Sequence, residues 1–406
     1  MAALFQAEAT RLAKMNGRKW FSTVLSVLLL GLCGLLAHPQ TAAQSQKKVE
    51  TPMATDERLE APGWWPTKAA VSRQDFVGTA ACARCHAKRT ASQLTTPMAQ
   101  ASAPANGSDI LRASDHLSLQ LGPYAYAISR SAGNSVYSVS DASNSISEPL
   151  AWAFGLGNKG QTYIYLRNGF YYESRLSFYK TIQGLDLTTG HGTKTPANLE
   201  DALGRLIDPD TLRRCFGCHT TASTTTEGFD PSHLMPGVTC EACHGPGAKH
   251  MDLMDEEKTA QGRLAIFNPR RLNPIALVDF CGACHRTLND VYEMGATGVA
   301  NVRFQPYRLE NSRCWGDGDI RLTCIACHDP HQPLVHDSAA YDEKCLACHT
   351  LTPAKSATRD RPGKACPVDK KDCVTCHMPR VTVPNMHAPF TDHRIRIFRP
   401  GAPYPD

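Results

Sequence analysis

Seven times along this 406-residue chain, two cysteines separated by two residues are followed at once by histidine. The motifs are CARCH at 82, CFGCH at 215, CEACH at 240, CGACH at 281, CIACH at 324, CLACH at 345 and CVTCH at 373. Only 16 residues of the 406 are His, so the adjacent imidazole belongs to the chemistry of the motif. Tetrahedral zinc sites pair two C-x-x-C knuckles or join one to a distant His pair, and seven knuckles without fixed separation suit neither. Thioredoxin-like dithiols do not need the His. Covalent haem c uses all three residues: the cysteines share one side of a helical turn and reach the two vinyl groups, and the next residue is carried beneath the ring to bind iron.

The expected cofactors are therefore seven covalently bound haem c groups. The thioether cysteines are Cys82, Cys85, Cys215, Cys218, Cys240, Cys243, Cys281, Cys284, Cys324, Cys327, Cys345, Cys348, Cys373 and Cys376. The proximal iron ligands are His86, His219, His244, His285, His328, His349 and His377. The chain has 17 cysteines, far more than a cytosolic enzyme carries, which places it in an oxidising compartment. After Arg18 and Lys19 the run WFSTVLSVLLLGLCGLLA reads as a signal peptide with cleavage near residue 43, from a true start at Met1 or Met15. An uncleaved anchor is the rival reading, because the run approaches the length that spans a bilayer. Cys33 falls within the removed segment, and beyond residue 43 nothing is long and apolar enough to cross a membrane.

Six of the motifs crowd into residues 215–377, about 27 residues for each. That is too little chain to bury a conventional core, so the porphyrins must supply most of the apolar surface. The expected fold is mainly short α-helices and irregular loops around a stacked multihaem core, with a small antiparallel β insertion near residues 115–180. The insertion is signalled by period-two runs and by Asn168-Gly169, a hairpin turn between β-branched and aromatic stretches. Its aromatics, among them Trp152, Phe154 and Tyr163, are expected in its core. NLEDALGRLI from Asn198 and DPDTLRRCFGCH from Asp208 read as capped helices. The expected divisions are a signal peptide (1–43), a linker (44–75), a first haem segment (76–114), the β insertion (115–180), a six-haem domain (181–397) and a tail (398–406).

FVGTAACARCH, PGVTCEACHGPGAKH, CIACHDPH, CVTCHMP and the later FTDHRI resemble the periplasmic multihaem cytochromes of the cytochrome c-554 type. That group is related to the pentahaem nitrite reductases and hydroxylamine oxidoreductases. The resemblance covers residues 76–397 and implies haems stacked in close pairs, most with a second, distant His on iron. By position, His250, His331 and His393 are implied as such distal ligands. His387, His233 and His116 are further candidates, with His191 and His336 behind them. Where relatives often carry His after the first motif this chain has Met98, either a thioether ligand or a packing residue.

Cys314 and Cys366 remain outside the motifs and are a candidate disulfide. The formal charge of +5 omits two propionates for each haem, and no basic block exists, so nucleic-acid binding has no support. The function expected is extracytoplasmic electron transfer between donor and acceptor redox proteins. The alternative is an oxidoreductase acting on a small nitrogen or sulfur compound at one open haem. No motif ends in Lys, the device by which pentahaem nitrite reductases open their catalytic haem.

Overall fold

The computed structural model describes residues 73–225, 228–315, 321–349, 366–399, 401 and 403–405. The expected signal peptide and nearly all of the linker lie outside the described residues.

The dominant element is a nine-stranded antiparallel sheet. It comprises β1 (Ser102–Pro104), β2 (His116–Leu121), β3 (Tyr124–Ser131), β4 (Asn134–Ser140), β5 (Ser145–Phe154), β6 (Gln161–Arg167), β7 (Phe170–Tyr179), β8 (Gly184–Leu187) and β9 (Gly204–Leu206). Strands β2 to β8 form a meander in sequence order, while β1 pairs with β5 and β9 pairs with β7. Register shifts between Leu150 and Trp152 in β5, and between Thr162 and Ile164 in β6, bend the sheet, and β8 comes back beside β2. The meander is thus nearly closed upon a core of its own. Tyr126, Tyr137, Tyr163, Tyr165, Val139 and Leu176 fill it, all but inaccessible to solvent.

This sheet corrects the expected fold class. The chain is not mainly short helices with a small β insertion near 115–180: the sheet reaches from Ser102 to Leu206 and takes in β1, β8 and β9, outside the predicted bounds. Those three strands have only three, four and three residues, too few to show a period. The end of β7 is buried on both faces, which erases the alternation that marks a half-exposed strand. The β6–β7 hairpin turns at Asn168 and Gly169, both at positive φ (51° and 83°), as the sequence predicts. The helix capped by Asn198 stops at Leu203, because Gly204 turns the chain into β9 where it runs beside Glu173.

Trp152, Phe154 and Ile164 make a second cluster with Leu212 and Phe216 of the helix Pro209–His219. Phe216 lies inside the second motif, so the sheet's outer face is the bed on which that motif rests. Beyond residue 220 the buried apolar clusters are small, such as Phe280 with Ala283 and Val302 with Val383 and Met386. Among the described residues, no helix is long and apolar enough to cross a membrane.

Candidate functional site: the motif imidazoles and their partners

The motifs sit on helical turns for a local reason. Asp208 and Asn273 cap the helices Pro209–His219 and Pro274–His285, each with Pro in its first turn, and each helix ends on its motif His. Shorter turns carry the third, fifth and seventh motifs: Cys240–His244, Cys324–Cys327 and Cys373–His377. The first lies within Gly78–Gln93, whose helical geometry breaks at His86 (φ −112°, ψ 33°). The sixth begins at the end of Asp342–Leu346.

Backbone carbonyls fix how the imidazoles point. Nδ1 of His219 donates to Ala101 O (3.2 Å), that of His244 to Phe267 O (2.8 Å) and that of His377 to Arg396 O (3.0 Å). A carbonyl only accepts, so the ring proton sits on Nδ1 and the Nε2 lone pair is left for a metal. Two histidines outside the motifs are held the same way: His250 donates to Gly262 O (2.8 Å) and His393 to Thr391 O (3.0 Å). Burial lowers the pKa of His219, His244, His285 and His328. Burial, followed by the neighbouring His328, pushes His393 down to about 4. These rings are therefore neutral at pH 7, the form that binds metal.

Three pairs of rings face each other. His86 and His250 have centroids 6.4 Å apart with planes at 18°, His244 and His331 are 6.0 Å apart at 16°, and His328 and His393 are 6.3 Å apart at 44°. Two imidazoles on opposite sides of one metal ion, with metal–nitrogen bonds of about 2 Å, would have centroids roughly 6.3 Å apart. The donor set and spacing thus fit haem iron held between two histidines, with His86, His244 and His328 on one side and His250, His331 and His393 on the other. Bound there, haem would supply reversible one-electron chemistry, and the protein would set its potential through ligand type and burial. Cysteine contacts bring motifs together: Cys82 meets Cys240, Cys218 meets Cys284, Cys281 meets Cys324, and Cys345 meets Cys373.

The other candidates lie elsewhere. Nε2 of His387 is 2.7 Å from Asp186 Oδ2, and its ring packs edge-on against Tyr179. His116 is at the exposed start of β2 beside Ser129 Oγ (3.0 Å), and His233 and His336 are exposed. His191 is paired with Glu173 (3.1 Å). Met98 is half-buried in a loop whose carbonyl accepts from Val238 N (2.9 Å) and Ala101 N (3.1 Å). Cys314 is half-buried and Cys366 exposed.

Three acidic residues escaped the sequence reading. Glu241, within the third motif, is 2% exposed and accepts from Val77 N (2.9 Å), Gly78 N (2.8 Å) and Gly247 N (2.8 Å). It ties the start of the helix carrying His86 to the start of the helix carrying His250. Asp342 accepts from Asp372 N (2.7 Å) and Cys373 N (2.9 Å), joining the sixth motif's helix to the seventh's. Those hydrogen bonds, Cys373 N first, hold its carboxyl below the usual value. Asp392, next to His393, is clasped by Arg308. Nothing in the sequence separates these carboxylates from surface ones, since the signal is a three-dimensional match to unpaired N–H groups and a buried guanidinium.

A family profile described as cytochrome c554 and c-prime matches residues 177–245. The multiheme cytochrome MtrA of Shewanella baltica is 22% identical over 201 residues, 46% of this chain and 52% of that protein. The cytochrome c-type protein NrfB of Haemophilus influenzae is 29% identical over 102 residues, 24% of this chain and 43% of that protein. The chain spans about half the length of these relatives or less. No solved structure matches. The expected relation to the nitrite reductase and hydroxylamine oxidoreductase group is loose at best. The profile does cover the second and third motifs in full, so sequence likeness and ligand geometry fall on the same residues, and both support a multihaem c-type cytochrome.

Proposed function

We propose that the protein carries seven covalent haem c groups and passes electrons between a donor and an acceptor redox protein in an extracytoplasmic compartment. The observation that carries this reading is the pairing of imidazoles across three of the motif histidines. Iron held by protein on both faces has no position left for a substrate and changes little on reduction, which suits electron transfer. Contacts among the motif cysteines support the reading, because transfer between haems needs neighbours. The compartment is supported by the 17 cysteines and the N-terminal apolar run.

Protein made in cells with haem-maturation machinery is expected to exceed the mass of its processed polypeptide by seven haem masses, and a chemical mediator should reduce and reoxidise every haem reversibly. An intact mass showing fewer haems would break the assignment of the repeat, and haems that resist mediated reduction would break the electron-transfer role.

A further inference from the structure

His219, the imidazole of the second motif, is gripped by one corner of the sheet. Its Nδ1 donates to Ala101 O (3.2 Å), the residue before β1. The ring of Phe154, the last residue of β5, lies parallel to the imidazole, with centroids 5.0 Å apart and planes within 3° of each other. Ser102, the first residue of β1, donates through Oγ to the backbone carbonyl of His219 (2.7 Å) and accepts from Gly237 N (3.0 Å). These three holds belong to one piece of structure. Ser102 is paired with Phe154 across β1 and β5, and Gly155 N donates to Ala101 O (2.8 Å). Gly155 takes a φ of +90°, and a Cβ there would come within 2.6 Å of Gly160 O, so this corner is open only to glycine. Phe154 is itself buried and stands edge-on against Phe216 of the motif's own helix (4.9 Å, 77°).

A hydrogen bond at Nδ1 fixes one point of an imidazole and leaves the ring free to swing about that contact. A parallel aromatic face removes the swing. Tyr341 beside His328 offers no such face, because it meets that imidazole edge-on (5.6 Å, 67°). We propose that Phe154 is a positioning residue for the second haem: together with Ala101 O and Ser102 it sets the plane of the His219 imidazole, and so makes that haem's ferric state and potential depend on the β-sheet. This role presupposes the electron-transfer reading and covalent haem at Cys215 and Cys218. An imidazole kept in line with its carbonyl acceptor is the more basic ligand, and a more basic ligand favours ferric iron.

Full-length holoprotein is compared as wild type, Phe154→Leu and Ser102→Ala by electron paramagnetic resonance of the ferric state, by redox titration and by peptide mass. Leucine keeps a buried apolar side chain but has no flat face. In Phe154→Leu one low-spin ferric signal is expected to change its g values while the others stay in place. The potential of one haem should shift upward, because a freed ring bonds Ala101 O less well and donates less to iron. Ser102→Ala, which releases the carbonyl of His219, should move the same signal by a smaller amount. A Phe154→Leu protein that melts at a lower temperature, with every ferric signal and potential as in wild type, would overturn the proposal, since Phe154 would then be packing alone. If Phe154→Leu does not fold, Ser102→Ala decides, and unchanged signals in it would overturn the proposal as well. A wild-type peptide carrying Cys215 and Cys218 without the mass of haem would instead bring down the reading on which the clamp rests, and the clamp with it.

Discussion

Glu241→Ala is expected to destabilise the protein by about 3 kcal/mol or more, because it strips the acceptor from three backbone N–H groups that charged hydrogen bonds now satisfy. Val77 N and Gly78 N belong to the start of the helix that holds His86, and Gly247 N to the start of the one that holds His250. A carboxylate at these two helix starts also meets the positive ends of their dipoles. The loss should therefore be local as well as global: the haem between His86 and His250 should show altered low-spin ferric resonances while the other haems keep theirs. Glu241→Gln should fall between, since its amide oxygen still accepts but its NH₂ group confronts at least one N–H. Denaturant unfolding and electron paramagnetic resonance of the same samples check both parts. A stability within about 0.5 kcal/mol of wild type, the range of ordinary surface changes, would show that Glu241 does not join the two helices.

The contrast between Glu241 and the residues around it shows what this sequence makes legible. Cys240, Cys243 and His244 are visible from spacing alone, because covalent attachment imposes one geometry on every copy. Glu241 occupies a position where the other motifs have Ala, Phe, Gly, Ile, Leu or Val, and nothing in its one-dimensional context marks it as buried. His250, His331 and His393 were put forward through the resemblance, and they are the residues whose rings stand opposite motif histidines. His387 was put forward with them, yet it sits at positive φ (52°) with its Nε2 on Asp186. Whether an imidazole outside the motifs meets an iron is decided by long-range packing, which local spacing does not encode.

The sheet was under-read for a related reason. Period-two patterning reports strands with one wet face, and it located β2, β3, β4 and the β6–β7 hairpin. The short strands that complete the sheet are specified by their partners: β9 exists because Gly204 can lie against β7, where a Cβ would come within 2.1 Å of Glu173 O. Trp152 and Phe154, read as core residues of the insertion, instead turn outward from the tyrosine core and pack on Phe216. The aromatic richness of the sheet thus serves two surfaces, its own interior and the seat of the second motif.

The Arg308–Asp392 pair should yield a loss of stability of similar size from a single substitution. Both side chains are fully buried, with Nε to Oδ1 at 2.9 Å and Nη2 to Oδ2 at 3.0 Å, and Nη1 donates to Pro405 O at 2.8 Å. The ring of Tyr404 lies 4.6 Å from the guanidinium. The pair thereby fastens the helix Gln305–Glu310 to the C-terminal segment, and Asp392 is the residue before His393. Arg308→Met leaves the buried Asp392 carboxylate with Arg396 as its remaining cationic partner and two of its hydrogen bonds lost, and is expected to cost about 3 kcal/mol, and to disturb the His328–His393 haem before others. Replacing both partners by apolar residues should cost less than either single change, since no fully buried charge remains and the guanidinium of Arg396 keeps some contact with water. Acidity supplies an independent readout. Burial alone would raise the pKa of Asp392, but hydrogen bonds from Arg308, Arg394 N and Arg396 outweigh it and hold the value below that of a free carboxyl. A depressed folded-state pKa gives stability that is present above the unfolded value, about 3.9, and is lost as pH falls through the folded one. Melting temperature should therefore drop steeply in wild type below about pH 4, and Asp392→Asn should flatten that part of the curve while lowering the plateau at neutral pH. A wild-type and an Asp392→Asn protein with parallel melting curves between pH 7 and 3 would show that the clasp does not set the acid limit, and would move attention to Asp342, whose carboxyl is lowered by the N–H groups of Cys373 and Asp372.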